Sequence, residues 1–197
     1  MKRMTILLMG GALALGACST TPAPVAAVDL NNPLMAPGYL SMAASSDMFE
    51  IQSSQLAQQM SSSAGVRNMA AMLIADHTQS TQMLMASAAA ARLPAMTPVL
   101  LPQHQALLDQ LRATGPGYAF DQAWQQIQIQ AHQQALTLHQ NYATSGDVPQ
   151  LRATAGQIVP VVQRHLQMAQ SLQLMAPPPP PPAPMAPPPP RRAGERG

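Results

Sequence analysis

Six residues in the middle of the chain carry side chains from which a transition-metal site can be built. They are His77, His132, His165, Glu50, Asp76 and Asp121. Imidazole and carboxylate groups bind Zn²⁺, Cu²⁺ and Fe²⁺ directly, or they orient another ligand by a hydrogen bond. One hypothesis is therefore a mononuclear or dinuclear site in which these residues are ligands or their hydrogen-bond partners.

The same histidines also have a purely structural interpretation. Buried polar groups in folded proteins are as a rule hydrogen-bonded. His77 and His165 can then be core residues that bond to each other, to Asp76 or to backbone carbonyls. His104 is expected at the surface, and most of the fifteen methionines are expected to fill gaps in the core rather than bind copper.

Two kinds of catalytic site are not supported by the sequence. A carboxylate-bridged di-iron site needs a Glu-x-x-His pair on each of two helices. No such pair occurs, and Glu50 is the only glutamate between Cys18 and the C-terminal tail. The chain also has no Gly-x-Ser-x-Gly turn, second cysteine or glycine-rich phosphate loop. We therefore do not expect an enzyme.

Helices must position the six residues, because the central part of the chain is rich in Ala, Gln, Met and Leu and poor in aromatic and β-branched runs. Turn and breaker residues divide it at Ser63, Pro94 to Pro102, Gly115 to Gly117 and Ser145 to Pro149. The pattern predicts long helices at about 39–62, 64–92, 117–144 and 148–175 and a short one at about 103–113. Pro160 is expected to kink the last helix.

Helical spacing places the histidines in or beside apolar stripes. The predicted stripes are Met42, Phe49, Leu56 and Met60; Val66, Met69, Leu73, His77 and Leu84; Phe120, Trp124, Ile127, Ala131 and Leu138; and Leu151, Ile158, Val162, His165 and Ala169. On the third long helix, Asp121, His132 and His139 form a line that borders the stripe, and Glu50 lies at the flank of the first stripe.

Several segments resemble the domain of unknown function 4142 family. They are Phe49-Glu50, Met72 to His77, Phe120-Asp121 through His132, and Val159-Pro160 through His165-Leu166. The resemblance covers roughly Ser41 to Leu174 and marks the chain as similar to bacterial envelope proteins with a ferritin-like helical bundle. It implies an all-α, four-helix, up-down ferritin-like bundle with a short extra helix between the second and third long helices. It implies no activity, because the family has none established.

The N-terminus has the features of a secretory signal. Lys2 and Arg3 precede an apolar run that is too short to span a membrane. The run ends at Leu15-Gly16-Ala17-Cys18, which resembles the bacterial lipobox, where the cysteine is acylated and becomes the first mature residue. We therefore expect residues 1–17 to be removed, Cys18 to carry acyl chains such as palmitate, and the mature protein to stay on its membrane. By resemblance to known lipoproteins, a serine such as Ser19 directly after the cysteine favours sorting to the outer membrane.

The flanking segments differ in composition from the predicted bundle at 38–175. Residues 18–37 are rich in Pro, Ala and Asn and are expected to form a flexible tether. Residues 176–197 contain the run from Pro177 to Pro190, which favours an extended polyproline II conformation in a disordered tail. That tail is either a spacer, a ligand for an envelope or cell-wall partner, or low-complexity sequence without a role.

Charge excludes one class of partner. Without Lys2 and Arg3, the chain has eight basic and eight acidic residues, so its formal charge is near zero. We therefore expect no basic surface that would bind nucleic acid. The sequence as a whole predicts a lipid-anchored envelope protein that faces the periplasm and has a structural or interaction-based role. The alternative is a ferritin-like protein that binds or sequesters a transition metal, the one cofactor the sequence suggests.

Overall fold

The computed structural model describes residues 29–176, which form five α-helices and, within that range, no strand. The helices are α1 (Ala36–Met60), α2 (Ala64–Ala90), α3 (Pro102–Ala113), α4 (Tyr118–Ser145) and α5 (Pro149–Ser171). The all-α prediction is confirmed, and every helix end lies within four residues of its predicted position. The signal segment, Cys18, most of the predicted tether and the proline-rich tail lie outside the described residues.

Four long helices form a bundle in which every neighbour is antiparallel. α1 packs on α2 and α4 packs on α5, while α2–α5 and α1–α4 contacts close the ring. At one end the Gly117 amide donates to the Met60 carbonyl (2.8 Å), and at the other the Asp147 amide donates to the Leu34 carbonyl (3.1 Å). Residues 91–117 cross from one end to the other, and α3 within them packs on α1 and α4.

Local sequence explains where the helices begin. Prolines occupy the first turns of α1, α3 and α5, where the missing N–H has no helical partner to lose. The Ser63 side chain accepts from the Val66 amide at the start of α2. Gly117 precedes α4 at φ 103°, a conformation that few other residues adopt. α5 runs on through Pro160, and the kink expected there stays a prediction.

The core consists of two apolar clusters separated by a polar layer. One cluster contains Phe49, Leu73, Leu111, Phe120, Trp124 and Ala169, and the other contains Tyr39, Leu84, Tyr142, Leu151, Ile158 and Val162. Between them along the bundle axis lie the buried side chains of Asp47, Glu50, His77, His132 and His165. A polar layer in the middle of a small core is unfavourable unless its groups are hydrogen-bonded, paired or bound to a metal ion.

The predicted stripes of α2 and α5 are confirmed, since all their members are buried. On α4 only Leu138 differs, being partly buried. The prediction for α1 is confirmed in part: Phe49 is buried, and Leu56 and Met60 are partly buried and pack against the same cluster, whereas Met42 is only partly buried and lies outside it. Besides Tyr39, Leu40 and Phe49, the buried face of α1 consists of small and polar residues, including Ala43, Asp47, Glu50, Ser54 and Ala57. Within residues 29–176, no helix combines the length and the hydropathy that crossing a membrane requires.

Candidate metal centre

Three histidines from three different helices meet in the polar layer. His77 comes from α2, His132 from α4 and His165 from α5, and all three are at most 3% exposed. Their ring centroids form a nearly equilateral triangle with sides of 5.4 Å, 5.5 Å and 5.6 Å. One ring nitrogen from each residue can be chosen so that all three lie within 4.8 Å of one another.

One ring nitrogen of each histidine donates a hydrogen bond to an acceptor outside the triangle. His77 Nδ1–H donates to Asp47 Oδ1 (2.8 Å), His132 Nδ1–H to the Gln128 carbonyl (2.9 Å), and His165 Nε2–H to Asp76 Oδ2 (2.8 Å). Because these partners only accept hydrogen bonds, they determine the tautomer of each neutral ring. Metal-binding histidines are oriented in this way, by a carboxylate or carbonyl on the nitrogen that does not bind the ion.

The other nitrogen of each ring is buried without a partner. His77 Nε2, His132 Nε2 and His165 Nδ1 have no hydrogen bond to any described residue. A zinc–imidazole bond is about 2.0–2.1 Å long, so three nitrogens around one ion lie about 3.3–3.5 Å apart. Since the nitrogens already lie within 4.8 Å of one another, modest ring movements would bring all three onto one ion.

Burial keeps two of the rings uncharged at neutral pH. It lowers the pKa of His132 to about 3 and that of His165 to about 4, and a charge on His77 adds to both shifts. Burial also opposes protonation of His77, but its bond to Asp47 and the carboxylates of Glu50 and Asp76 outweigh this and raise its pKa. Two ligands are therefore ready to bind a cation without first losing a proton.

The structure separates the three carboxylates proposed from the sequence. Asp76 is a hydrogen-bond partner of His165 rather than a group that faces the other histidines. Glu50 is fully buried with its Oε1 3.6 Å from His132 Nδ1, and burial raises its pKa to about 7. Asp121 was expected at the centre but does not belong to it. It accepts a hydrogen bond from Ser62 Oγ (2.7 Å) near the start of α4, about 16 Å along the helix from His132.

Sequence reasoning missed the groups that hold His77 and His132. Asp47 Oδ1 accepts from His77, and Asp47 Oδ2 accepts from Thr81 Oγ1 (3.0 Å). The signal that could have identified Asp47 is its spacing of three residues from Glu50, which places both carboxylates on one face of α1. The Gln128 carbonyl has no such signal, because any residue at that position supplies the same backbone oxygen.

The remaining two histidines are buried outside the triangle. His104 was expected at the surface, but it is 8% exposed, stacks on Phe49 and shares a 2.7 Å hydrogen bond with Ser45 Oγ. His139 is 2% exposed and shares a 2.9 Å hydrogen bond with the Tyr39 hydroxyl. These two residues show what a structural histidine looks like in this bundle, and they serve below as controls.

Comparison with known proteins supports the family and the fold. A family model described as "Domain of unknown function (DUF4142)" matches residues 20–172. A solved structure described as "CopM in the Cu(II)-bound form" is similar with a TM-score of 0.56 and 18% identity, over 69% of this chain and 93% of that chain. At that identity the likeness shows a shared fold. No curated protein matches the chain.

Proposed function

The chain belongs to the DUF4142 family, whose domain has no known function, and from the geometry of its buried histidines we propose that it binds one divalent transition-metal ion. The observation that carries this proposal is the set of three unpartnered ring nitrogens in one buried triangle. Leaving such a group unsatisfied costs on the order of 1–3 kcal/mol. A cation bound to all three nitrogens removes that cost for each of them, whereas a protonated His77 that donates from Nε2 can satisfy only one of the other two nitrogens and leaves the third without a partner.

The donor set narrows the choice of ion. Three imidazoles without a thiolate suit Zn²⁺, Cu²⁺, Ni²⁺ or Fe²⁺ rather than Mg²⁺ or Ca²⁺. Cu²⁺ binds nitrogen sites most strongly in this series. The similar fold solved with Cu(II) is a further reason to test copper first. We assign binding or sequestration of the ion as the role, with the three histidines as its protein ligands.

The test uses the chain from Ser19 to Gly197, purified without chelator and without affinity histidines. We expect it to take up one Cu²⁺ or Zn²⁺ ion per chain. At a free ion concentration ten times the Kd, the free energy of unfolding should rise by about 1.4 kcal/mol, because the ion binds only the folded state. Mass-spectrometric metal analysis and thermal melts measure the two quantities. Uptake of less than a tenth of an equivalent, with unchanged melting temperatures, would contradict the proposal.

The cellular setting is a second proposal, based on the sequence around Cys18. We propose that Cys18 is lipidated and that the bundle is held at the surface of the outer membrane, facing the periplasm. Support comes from the residues just before α1, where Leu30, Leu34 and Met35 are exposed and Leu30 lines one groove together with the exposed Val99. About ten residues connect this end of the bundle to Cys18, and a chain of that length spans at most about 40 Å when fully extended. Apolar groups are therefore exposed on the end that the anchor would hold near lipid.

An interaction-based role remains the second candidate function, favoured by the same exposed apolar side chains. An envelope or cell-wall partner of the proline-rich segment from Pro177 to Pro190 stays a prediction, because that segment lies outside the described residues. Deleting residues 177–197 should abolish capture of such a partner while metal uptake remains. Unchanged capture would reject a role for the tail.

A further inference from the structure

The three carboxylates next to the histidines differ in their exposure to solvent. The side chains of Asp47 and Glu50 are 3% and 1% exposed, whereas that of Asp76 is 27% exposed. Asp76 is thus the carboxylate that connects the buried triangle, through its bond to His165, with the outside of the bundle.

A cleft between α2 and α5 lies directly outside Asp76. Its volume is about 160 Å³, and its lining includes Asp76, Ser80, Met83, Ile158 and Arg164. Ser80 is 8% exposed, and its hydroxyl has no hydrogen-bond partner among the described residues. Arg164 Nη2 lies 3.3 Å from Asp76 Oδ2, the same oxygen that accepts from His165. The cleft is therefore lined by a partly exposed carboxylate, by Ser80 with its buried and unpartnered hydroxyl, and by one cationic side chain that competes for the carboxylate.

We propose that this cleft is the path by which the metal ion reaches the three histidines, with the Asp76 carboxylate and the Ser80 hydroxyl as a transient oxygen site and Arg164 as the group that slows its passage. The inference rests on the proposed function, since it concerns how the same ion arrives. Carboxylate and hydroxyl oxygens hold divalent ions weakly enough for an exchange to nitrogen ligands. From Asp76 the ion passes the edge of the His165 ring to reach Nδ1, because that nitrogen lies on the opposite side of the ring from the bond to Asp76.

Charge explains the effect assigned to Arg164. A divalent cation about 6 Å from a guanidinium is repelled by about 1.4 kcal/mol even at the dielectric constant of water, which corresponds to about tenfold in rate. The same guanidinium occupies an oxygen that the incoming ion needs. Its removal therefore lowers the barrier for uptake and for release, while the three histidines that determine the final complex are unchanged.

The experiment follows Cu²⁺ binding by quenching of Trp124, the single tryptophan of the chain, after rapid mixing. For Arg164→Gln we expect uptake, and release to a chelator, to be about tenfold faster, with one ion still bound at equilibrium. Ser80→Leu, which fills the cleft, should slow both processes. The matched control is Arg112→Gln, because Arg112 forms a similar exposed pair with Asp109 on α3 (2.9 Å), far from the cleft. Its rates should equal those of the unmodified chain.

The outcomes separate the path from the function itself. The Arg164 side chain is 54% exposed, so the Arg164→Gln variant should fold like the unmodified chain. If Arg164→Gln and Ser80→Leu bind one ion at the unmodified rate, the path proposed here is wrong and the metal centre stands. If the unmodified chain binds no ion at equilibrium, the proposed function is wrong, and the path with it.

Discussion

Replacing His132 with alanine is expected to lower the affinity for Cu²⁺ and Zn²⁺ by about a thousandfold or more. Changes to groups behind a metal ligand already cost about 10- to 100-fold, and loss of a ligand removes a metal–nitrogen bond in addition. His132 is fully buried on α4, and alanine removes one of the three ring nitrogens that lie together there. Competition titration against a chelator of known affinity measures the loss.

The matched control for this substitution is His139→Ala. His139 lies on the same helix, is equally buried and is hydrogen-bonded to Tyr39, but it is not part of the triangle. Its replacement should cost stability through lost packing and a lost hydrogen bond, on the order of 1–3 kcal/mol, and leave the metal affinity within a few fold. Equal losses of affinity in both variants would mean that unfolding, and not the loss of a ligand, explains the result for His132→Ala.

Cys18→Ser is expected to move the protein almost completely from the membrane fraction to the soluble fraction. Acyl chains contribute about 0.8 kcal/mol for each buried CH₂, and two or more chains hold a protein stably on a membrane. Without the thiol no acyl chain can be attached. Fractionation of cells that express each form measures the change.

The control for the anchor is Thr20→Ala, which keeps the cysteine and should remain in the membrane fraction. Mass spectrometry of the N-terminal peptide should find acyl chains on Cys18 in the unmodified protein. If Cys18→Ser stays in the membrane fraction to the same extent as the unmodified protein, another attachment holds the chain and the lipoprotein prediction is wrong.

The positions of the helices were predictable because local sequence determines them. Prolines at the first turns of α3 and α5 and Ser63 before α2 are signals that act within a few residues. The apolar spacing on α2 and α5 also identified which side of each helix is buried, and with it the inward positions of His77 and His165.

The buried face of α1 could be predicted only in part by the same rule. Leu40 and Phe49 are buried, but Met42 and Met60 are only partly so, while serines, alanines and two carboxylates make up most of the side that faces the bundle. Small side chains allow α1 to lie close to its neighbours, and the carboxylates are retained there because they contact histidines from other helices. Hydropathy along one helix contains no information about such partners.

The histidines of the candidate centre were predictable from the sequence, but most of their hydrogen-bond partners were not. Residue type and helical spacing drew attention to His77, His132 and His165, but which groups stand behind them depends on how four helices are packed. Asp47 is 30 residues from His77 in the chain, and Asp76 is 89 residues from His165. Asp121 shares a helix face with His132, yet the rise along α4 carries it to the end of the bundle, where Ser62 is its partner.

The most direct measurement is the ¹⁵N NMR spectrum of the five histidine rings before and after one equivalent of Zn²⁺. We predict that the metal-free protein shows N–H at Nδ1 of His77 and His132 and at Nε2 of His165, as their acceptors require. Zn²⁺ should then shift Nε2 of His77, Nε2 of His132 and Nδ1 of His165, and leave His104 and His139 unchanged. Shifts confined to His104 or His139, or no shift in any ring, would contradict the metal centre proposed here.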